Sequence, residues 1–441
     1  MKITVIGTGR LGLPYAAGLA ELGHDVLGVE TNPSTVALLR EGRSPFREAE
    51  LQETITRNVD AGRLRFTDDY DEAVDHGELH FLAVGTPQQE HATAADLSDV
   101  EEALTGLVKR LRQDTVIIGK SSVPVGTAAH MAELSAQAAP EGVRIRLGWC
   151  PDFMRVFNSM KSTLNPTRLV LGVQDDTDGV VERAARQAWA PFLEAGVPLV
   201  VTDFATAEIV KGAANAFLTT KMSFMNSVAE VAEAAGADLS ALAEAIGLDP
   251  RIGTFGLTPG LGYGGSCLGK DTRAFIARAH ELGMGHHTRL LQEVDSINTF
   301  RRTRIVDHAR AAVGGSLSDA RIAVWGAAYR PGVDDISDSP ALDVAARLCR
   351  AGARVRVYDP AAMDRARGAQ PELEFASGAL DAVSSAELLL VLTDWQEFAD
   401  ADPAEVARHV AEKRVIDTRF CLPAAAWQAA GWDFSRGFGE I

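Results

Sequence analysis

Twice along this chain a short apolar strand runs into glycine, a second strand ends on an acid, and a third ends on threonine, in the same order. The first set is Ile3-Thr-Val-Ile-Gly7, Asp25-Val-Leu-Gly-Val-Glu30 and residues 79–86. The second is Arg321-Ile-Ala-Val-Trp-Gly326, Arg354-Val-Arg-Val-Tyr-Asp359 and residues 388–393. Segments of helical length separate the strands, and further apolar strands at 115–119, 145–149 and 169–172 extend the first set. Short apolar strands alternating with helices build mainly parallel sheets, because a parallel pair needs a crossover that a helix supplies. The recurrence predicts an α/β chain with two Rossmann-like, doubly wound lobes.

Between the two sets the pattern is helical. From Thr206 to about Ala235 there is no proline, a single early glycine (Gly212) and abundant alanine. That stretch can form one helix of roughly 45 Å at 1.5 Å per residue, long enough to join domains. Helical sequence continues to about residue 312, interrupted by a glycine-rich loop at 262–271. A chain of 441 residues exceeds one core. The expected division is an N-terminal lobe at 1–203, a central helical and dimerising domain at 204–315 carrying the cysteine loop, and a C-terminal lobe at 316–441, with Gly314-Gly315-Ser316 as the second linker.

Composition narrows the function classes. The net charge of −17 argues against nucleic acid or an anionic membrane surface as partner. No apolar run reaches membrane-spanning length and Met1-Lys2 leads directly into a strand, so a cytoplasmic protein is expected. Cys150, Cys267, Cys349 and Cys421 are far apart with no CxxC pair, which indicates neither a zinc site nor a disulfide framework.

Gly7-Thr8-Gly9-Arg10-Leu11-Gly12 matches GxGxxG where a strand closes and a helix opens. In that setting the glycines allow a tight turn and close backbone approach, and the helix N-terminus faces a pyrophosphate. Glu30, ending the next strand, can accept hydrogen bonds from ribose hydroxyls and would repel a 2′-phosphate. No arginine follows it in Thr31-Asn32-Pro33, so NAD is favoured over NADP. The second lobe keeps only the first glycine, in Gly326-Ala-Ala-Tyr-Arg-Pro, and is expected to hold a different ligand or none.

Gly262-Tyr-Gly-Gly-Ser-Cys-Leu-Gly-Lys-Asp271 places a cysteine ahead of a helix expected to begin near Lys270. A helix N-terminus and a nearby lysine favour the thiolate, the nucleophilic form. Beside a nicotinamide, such a thiol can trap an aldehyde as a thiohemiacetal. Loss of hydride then gives a thioester, which water opens to an acid. Spacing alone leaves an incidental loop cysteine equally open.

Motifs spread along the whole chain decide between these. They are 7–12, Val84-Gly-Thr-Pro87, Lys120-Ser-Ser-Val-Pro-Val-Gly-Thr127, Lys211-Gly-Ala-Ala-Asn215 with Lys221-Met-Ser-Phe224, 262–271, Tyr329-Arg-Pro with Asp334-Asp335, and Thr393-Asp394-Trp395. In this order the chain resembles the UDP-glucose/GDP-mannose dehydrogenase family from end to end. The resemblance implies four-electron oxidation of the 6-hydroxymethyl group of a nucleotide sugar, reducing two NAD, with UDP-glucose as default substrate.

It further implies that Cys267 is the nucleophile, that Lys211 and Asn215 stabilise alkoxide and oxyanion, that Asp271 orients water, and that Asp152 and Thr127 handle water and proton. Gly7, Gly9, Arg10, Leu11, Gly12, Glu30, Thr86, Ser122, Lys270 and Arg330 would hold the cofactor. Phe153, Met154, Lys211, Asn215, Arg251, Tyr263, Gly264 and Arg330 would contact the sugar nucleotide, Arg251 reaching it from a neighbouring subunit of a dimer or larger homo-oligomer. Two departures lie on the sugar and water side: Asp152 in Cys150-Pro-Asp-Phe-Met stands where the family has glutamate, and Leu268-Gly269 where Phe-Pro is common; Arg330, near both cofactor and substrate, stands where lysine is usual. They leave open another substrate (a UDP-N-acetyl-hexosamine or GDP-mannose) or a catalytically weak nucleotide-sugar-binding protein.

Overall fold

The computed structural model describes residues 1–89, 92–154, 158–174 and 176–438, so Arg155, Val156 and Phe157 of the segment after Met154 lie outside the described residues. The chain forms two compact units, Met1–Ala214 with His280–Leu282, and Asn215–Ala279 with Gly283–Ile441. No helix among the described residues is long and apolar enough to cross a membrane.

The first unit is built on β1 (Lys2–Ile6), β2 (Asp25–Val29), β3 (Leu64–Thr67), β4 (Leu79–Leu82), β5 (Thr115–Gly119), β6 (Ile145–Trp149), β7 (Leu169–Val173) and β8 (Leu199–Thr202). They form one sheet in the order β3-β2-β1-β4-β5-β6-β7-β8. The pairs are parallel except β6 with β7, where Gly148 opposes Val173. β4 and β5 are buried along their whole length, as strands covered by helices on both faces must be. The Gly12–Glu21 helix lays Leu13, Ala16, Ala17 and Ala20 against the core, with Tyr15 edge-on to Phe81 at 5.0 Å between ring centroids. The chain leaves β1 on one side toward β2 and returns on the other through β4, so the two connections diverge at their carboxyl ends. That divergence is the crevice where open α/β sheets bind ligands.

The second unit carries β9 (Arg321–Trp325), β10 (Arg354–Tyr358), β11 (Glu374–Phe375), β12 (Leu388–Val391), β13 (Arg414–Asp417) and β14 (Asp433–Ser435). Their order, β11-β10-β9-β12-β13-β14, repeats that of the first six strands. The recurring strand pattern of the sequence is therefore a repeated topology, and the two Rossmann-like lobes are present.

The long helix spans Phe204–Ala234, two residues earlier than its expected start. Asp203 sets that start, its carboxylate accepting from the Thr206 amide at 2.7 Å and the Thr206 hydroxyl at 2.8 Å. The helix after Cys267 likewise begins at Leu268 rather than near Lys270. The Asp271 amide bonds the Cys267 carbonyl at 2.8 Å, so the helical ladder already includes Gly269.

Candidate active site

Gly7 closes β1 with φ +89, and a Cβ there would meet the Ala83 carbonyl oxygen at 2.9 Å. A Cβ on Gly12 would run into the Gly7 carbonyl oxygen itself. Both glycines are therefore required by the fold. Gly9 differs: it is exposed, its φ lies outside the left-handed region, and a Cβ there would meet nothing within 4 Å. Nothing in the fold demands glycine at that point, which is what a residue reserved for close ligand approach looks like. Leu11 provides no side-chain cap for the helix that follows, leaving that N-terminus to an anion. Arg10 lies over the Phe46 ring, 5.1 Å from its centroid. Glu30 is half-buried and receives the Thr8 hydroxyl at 2.7 Å and the Asn32 amide at 3.0 Å, which fixes its carboxylate beside the loop. Thr86 donates to the Ser122 carbonyl at 2.8 Å, tying together the loops after β4 and β5. These residues fit a dinucleotide.

The matching crevice of the second lobe is built against one. Asp359, at the end of β10, is 1% exposed and turned inward. One oxygen accepts the Ala327 and Ala328 amides at 2.8 and 2.9 Å and the Trp395 indole at 3.0 Å; the other accepts the Ala361 and Ala362 amides, each at 2.9 Å. The backbone donors that would hold a pyrophosphate already serve a carboxylate of the chain.

Around the sugar-side residues of the first unit, a buried Lys120 ammonium stands 3.4 Å from Asp152, 3.8 Å from the Cys150 sulfur and 4.7 Å from the Tyr15 ring centroid. Burial works against its charge, but the surrounding Cys150, Asp152 and Tyr15 outweigh it and raise its pKa above the ordinary lysine value. Burial pushes the Cys150 thiol up. Asp152 also accepts the Met154 amide at 2.9 Å, and the Met154 sulfur receives the Thr163 hydroxyl at 3.7 Å. The Phe153 ring carries Arg168 at 3.9 Å and Lys211 at 5.6 Å from its centroid. Thr127 is buried and donates to the Pro124 carbonyl at 2.7 Å, so its hydroxyl proton is used within its own turn.

In the second unit Cys267 is exposed and sits at the N-cap of the Leu268–Glu281 helix, with the Ser266 hydroxyl 3.7 Å from its sulfur. Asn215, 6% exposed, donates to Asp271 at 2.7 Å, and Lys270 pairs with the other Asp271 oxygen at 2.9 Å. Tyr263 and Gly264 lie in the loop before the cysteine. Tyr263 is buried and held through its backbone, its amide donating to the Asn298 side chain at 2.8 Å and its carbonyl accepting from it at 3.1 Å. Arg251 stands out from the surface with 87% of its side chain exposed, bound to Asp249 at 2.6 Å. Arg330 is half-buried in the loop after β9.

Family models match the chain in three successive blocks. Residues 1–193 fit the NAD binding domain of the UDP-glucose/GDP-mannose dehydrogenase family, 205–300 its central domain and 323–424 its UDP binding domain. The chain belongs to this family. A UDP-glucose 6-dehydrogenase of Haloferax volcanii is 39% identical over 429 residues, covering 95% of this chain and 96% of the relative. A solved UDP-glucose dehydrogenase from Pyrobaculum islandicum superposes with a TM-score of 0.89 at 32% identity, over 99% of this chain and 98% of that one. A UDP-D-ManNAc dehydrogenase from Pyrococcus horikoshii follows with a TM-score of 0.85 at 25% identity, over 99% and 100%.

As a member of the family the chain is an NAD-dependent oxidoreductase acting on a nucleotide sugar. The one open GxGxxG crevice lies inside the matched NAD binding domain, and the lobe whose crevice Asp359 closes is the matched UDP binding domain. Two side chains at the site escape a reading by motif. Lys120 shows in the sequence only as the first letter of a motif, yet it is the cation against Asp152. Glu208, one turn before Lys211, accepts the Gly126 and Ala128 amides at 2.7 and 2.6 Å and so caps the Thr127–Ala138 helix from a distant part of the chain. An acid on the same helical face as Lys211 was the available signal.

Proposed function

We propose that this chain oxidises the 6-hydroxymethyl group of UDP-glucose to the carboxylate, consuming two NAD and one water per sugar, with Cys267 as the covalent nucleophile. The observation that carries the reading is the exposed Cys267 at a helix N-cap, followed one turn later by an Asp271 held between Asn215 and Lys270. NAD, held by the 7–12 loop and Glu30, would supply the hydride acceptor for each of the two oxidations. The chain's residues supply the rest. Lys211 and Asn215, four residues apart on one helix, stabilise the alkoxide that must form before each hydride leaves. The Cys267 thiolate adds to the C6 aldehyde, and after the second oxidation the carbon is a thioester. Asp271 orients the water that opens it, releasing the acid and returning the thiol, while Asp152, paired with Lys120, handles the proton.

The altered 150–154 and 268–269 segments and the likeness to the UDP-D-ManNAc dehydrogenase keep an N-acetylated UDP-sugar as the second reading. NADH release on a panel of UDP- and GDP-sugars separates the two. With UDP-glucose the expectation is two NADH and one uronic acid per sugar. A single NADH with accumulating aldehyde rejects the four-electron route, and wild-type turnover by Cys267→Ser rejects the nucleophile.

We divide these roles among residues 1–203, 204–315 and 316–441, and place the assembly contact on the central helix. Phe217, Phe224 and Val231, spaced by seven residues, are 69%, 57% and 71% exposed. An apolar stripe at that spacing on one helix face fits a second copy of the chain, with Arg251 projecting toward the neighbour's sugar. Four cysteines that form no disulfide suit the reducing cytoplasm where NAD is available.

A further inference from the structure

The glycines around Cys267 pack against the chain itself. A Cβ on Gly264 would strike the Asp338 carbonyl oxygen and come within 2.6 Å of the Pro340 ring. On Gly265, whose φ is +87, it would come within 2.7 Å of the Tyr329 ring. The Gly265 amide also donates to the Ser337 carbonyl at 2.9 Å. The cysteine loop is thus laid on the segment 329–340, the loop that follows β9 in the UDP-binding lobe and contains Arg330.

Asp338 is the centre of that seat. It is one of five described non-glycine residues with positive φ, at +42, a conformation aspartate tolerates better than most side chains. Its carboxylate accepts from Arg302 at 2.8 Å and pairs with Arg273 at 3.3 Å. Arg273 lies on the Leu268–Glu281 helix, and the same carboxylate would touch a Cβ on Gly269, at 3.1 Å, in that helix's first turn. Each arginine has a second partner, Asp295 at 3.1 Å from Arg273, nearer than Asp338, and Asp343 at 3.3 Å from Arg302.

We propose that Asp338 is a positioning residue for catalysis: from the loop after β9 it holds Arg273 in the second turn of the helix that Cys267 caps, and so fixes the nucleophile relative to the lobe that holds the nucleotide. This rests on Cys267 being the nucleophile. It also explains the glycine run, since any side chain at 264 or 265 would push the two loops apart.

The test compares Asp338→Asn and Asp338→Gly in the full chain, because both accept a left-handed backbone while the first removes only the charge and the second the whole side chain. The readouts are hydrogen exchange of peptides covering 261–272, kcat, and KM for NAD. Loss of one charge-assisted anchor, with the secondary partners remaining, should speed exchange in those peptides about tenfold. Misplacement of the thiol should lower kcat by about fivefold or more while KM for NAD stays within about twofold. Unchanged loop exchange overturns the proposal, as does faster exchange with wild-type kcat. Equal loosening of second-unit peptides remote from the loop in both variants assigns Asp338 a general structural role and overturns it too. Cys267→Ser run in parallel keeps the underlying reading separate: if it turns over normally, the nucleophile is wrong whatever the loop does.

Discussion

Replacing Gly9 and Gly12 by alanine, one at a time, separates what the fold needs from what the cofactor needs. At Gly12 the new methyl would overlap the Gly7 carbonyl oxygen, a backbone atom that cannot move without opening the turn. Overpacking against backbone should cost about 3 kcal/mol or more. At Gly9 the methyl enters open space and the backbone angle already suits an L-residue. The unfolded chain loses freedom, so Gly9→Ala should be neutral or stabilising by about 0.5 kcal/mol. On the proposed assignment of Gly9 to the ligand, the same methyl would meet the approaching pyrophosphate. Loss of one charge-assisted hydrogen bond is worth about 1.5–3 kcal/mol, or about 10- to 100-fold in Kd for NAD. Urea melts give the first quantity and calorimetric titration with NAD the second, with UDP titration as the control on the other lobe. A Gly9→Ala protein that melts like Gly12→Ala, or that binds NAD as tightly as wild type, would refute the assignment of Gly9 to the ligand.

Glu30→Ala should weaken NAD and shrink its preference over NADP; an unchanged preference ratio in steady-state kinetics would mean another group reads the ribose. His80 lies wholly buried in β4 with neither ring nitrogen partnered, and burial pushes its pKa from 6.5 down to about 3. The unfolded chain therefore binds the extra proton between those values. Stability is complete above about pH 6.5 and falls with acid, by about 2 kcal/mol at pH 5 from this residue. His80→Leu should remove that part of the loss, measured by exchange of β1, β4 and β5 peptides at both pH values, and parallel losses in the two proteins would reject it. Phe217→Ser with Phe224→Ser should dissociate the assembly on sedimentation. Mixing Arg251→Ala with Cys267→Ser subunits should restore part of the activity if Arg251 serves its neighbour, and none if subunits exchange while it serves its own chain.

The elements that depend on local pattern were legible in the chain. Strands buried on both faces read as continuous apolar runs, so β1, β2, β4, β5, β9 and β12 stood out, while β10 showed as an alternation of arginine and apolar residues, and the repeated strand endings announced a repeated topology. The fingerprint at 7–12 was equally plain, since a strand, a turn and a helix contribute all of it within a few residues. Helix starts shifted by two residues because side-chain and backbone caps set them, as Asp203 does for Thr206.

Sequence could not show which glycine serves the fold and which the ligand. That depends on what a methyl at 9, 12, 264 or 265 would meet, and the atoms it would meet at 264 and 265 come from more than sixty residues away. Nor could it show that Asp359 closes one crevice while Glu30 leaves the other open, although both acids end equivalent strands. Lys120 against Asp152, Glu208 on the Thr127 helix and Asp338 beneath the cysteine loop are likewise pairings between distant segments. Local sequence carries backbone propensity and the period of burial. The partner of a buried charge is chosen only when packed layers bring two remote stretches within hydrogen-bonding distance, and that is decided by the tertiary structure.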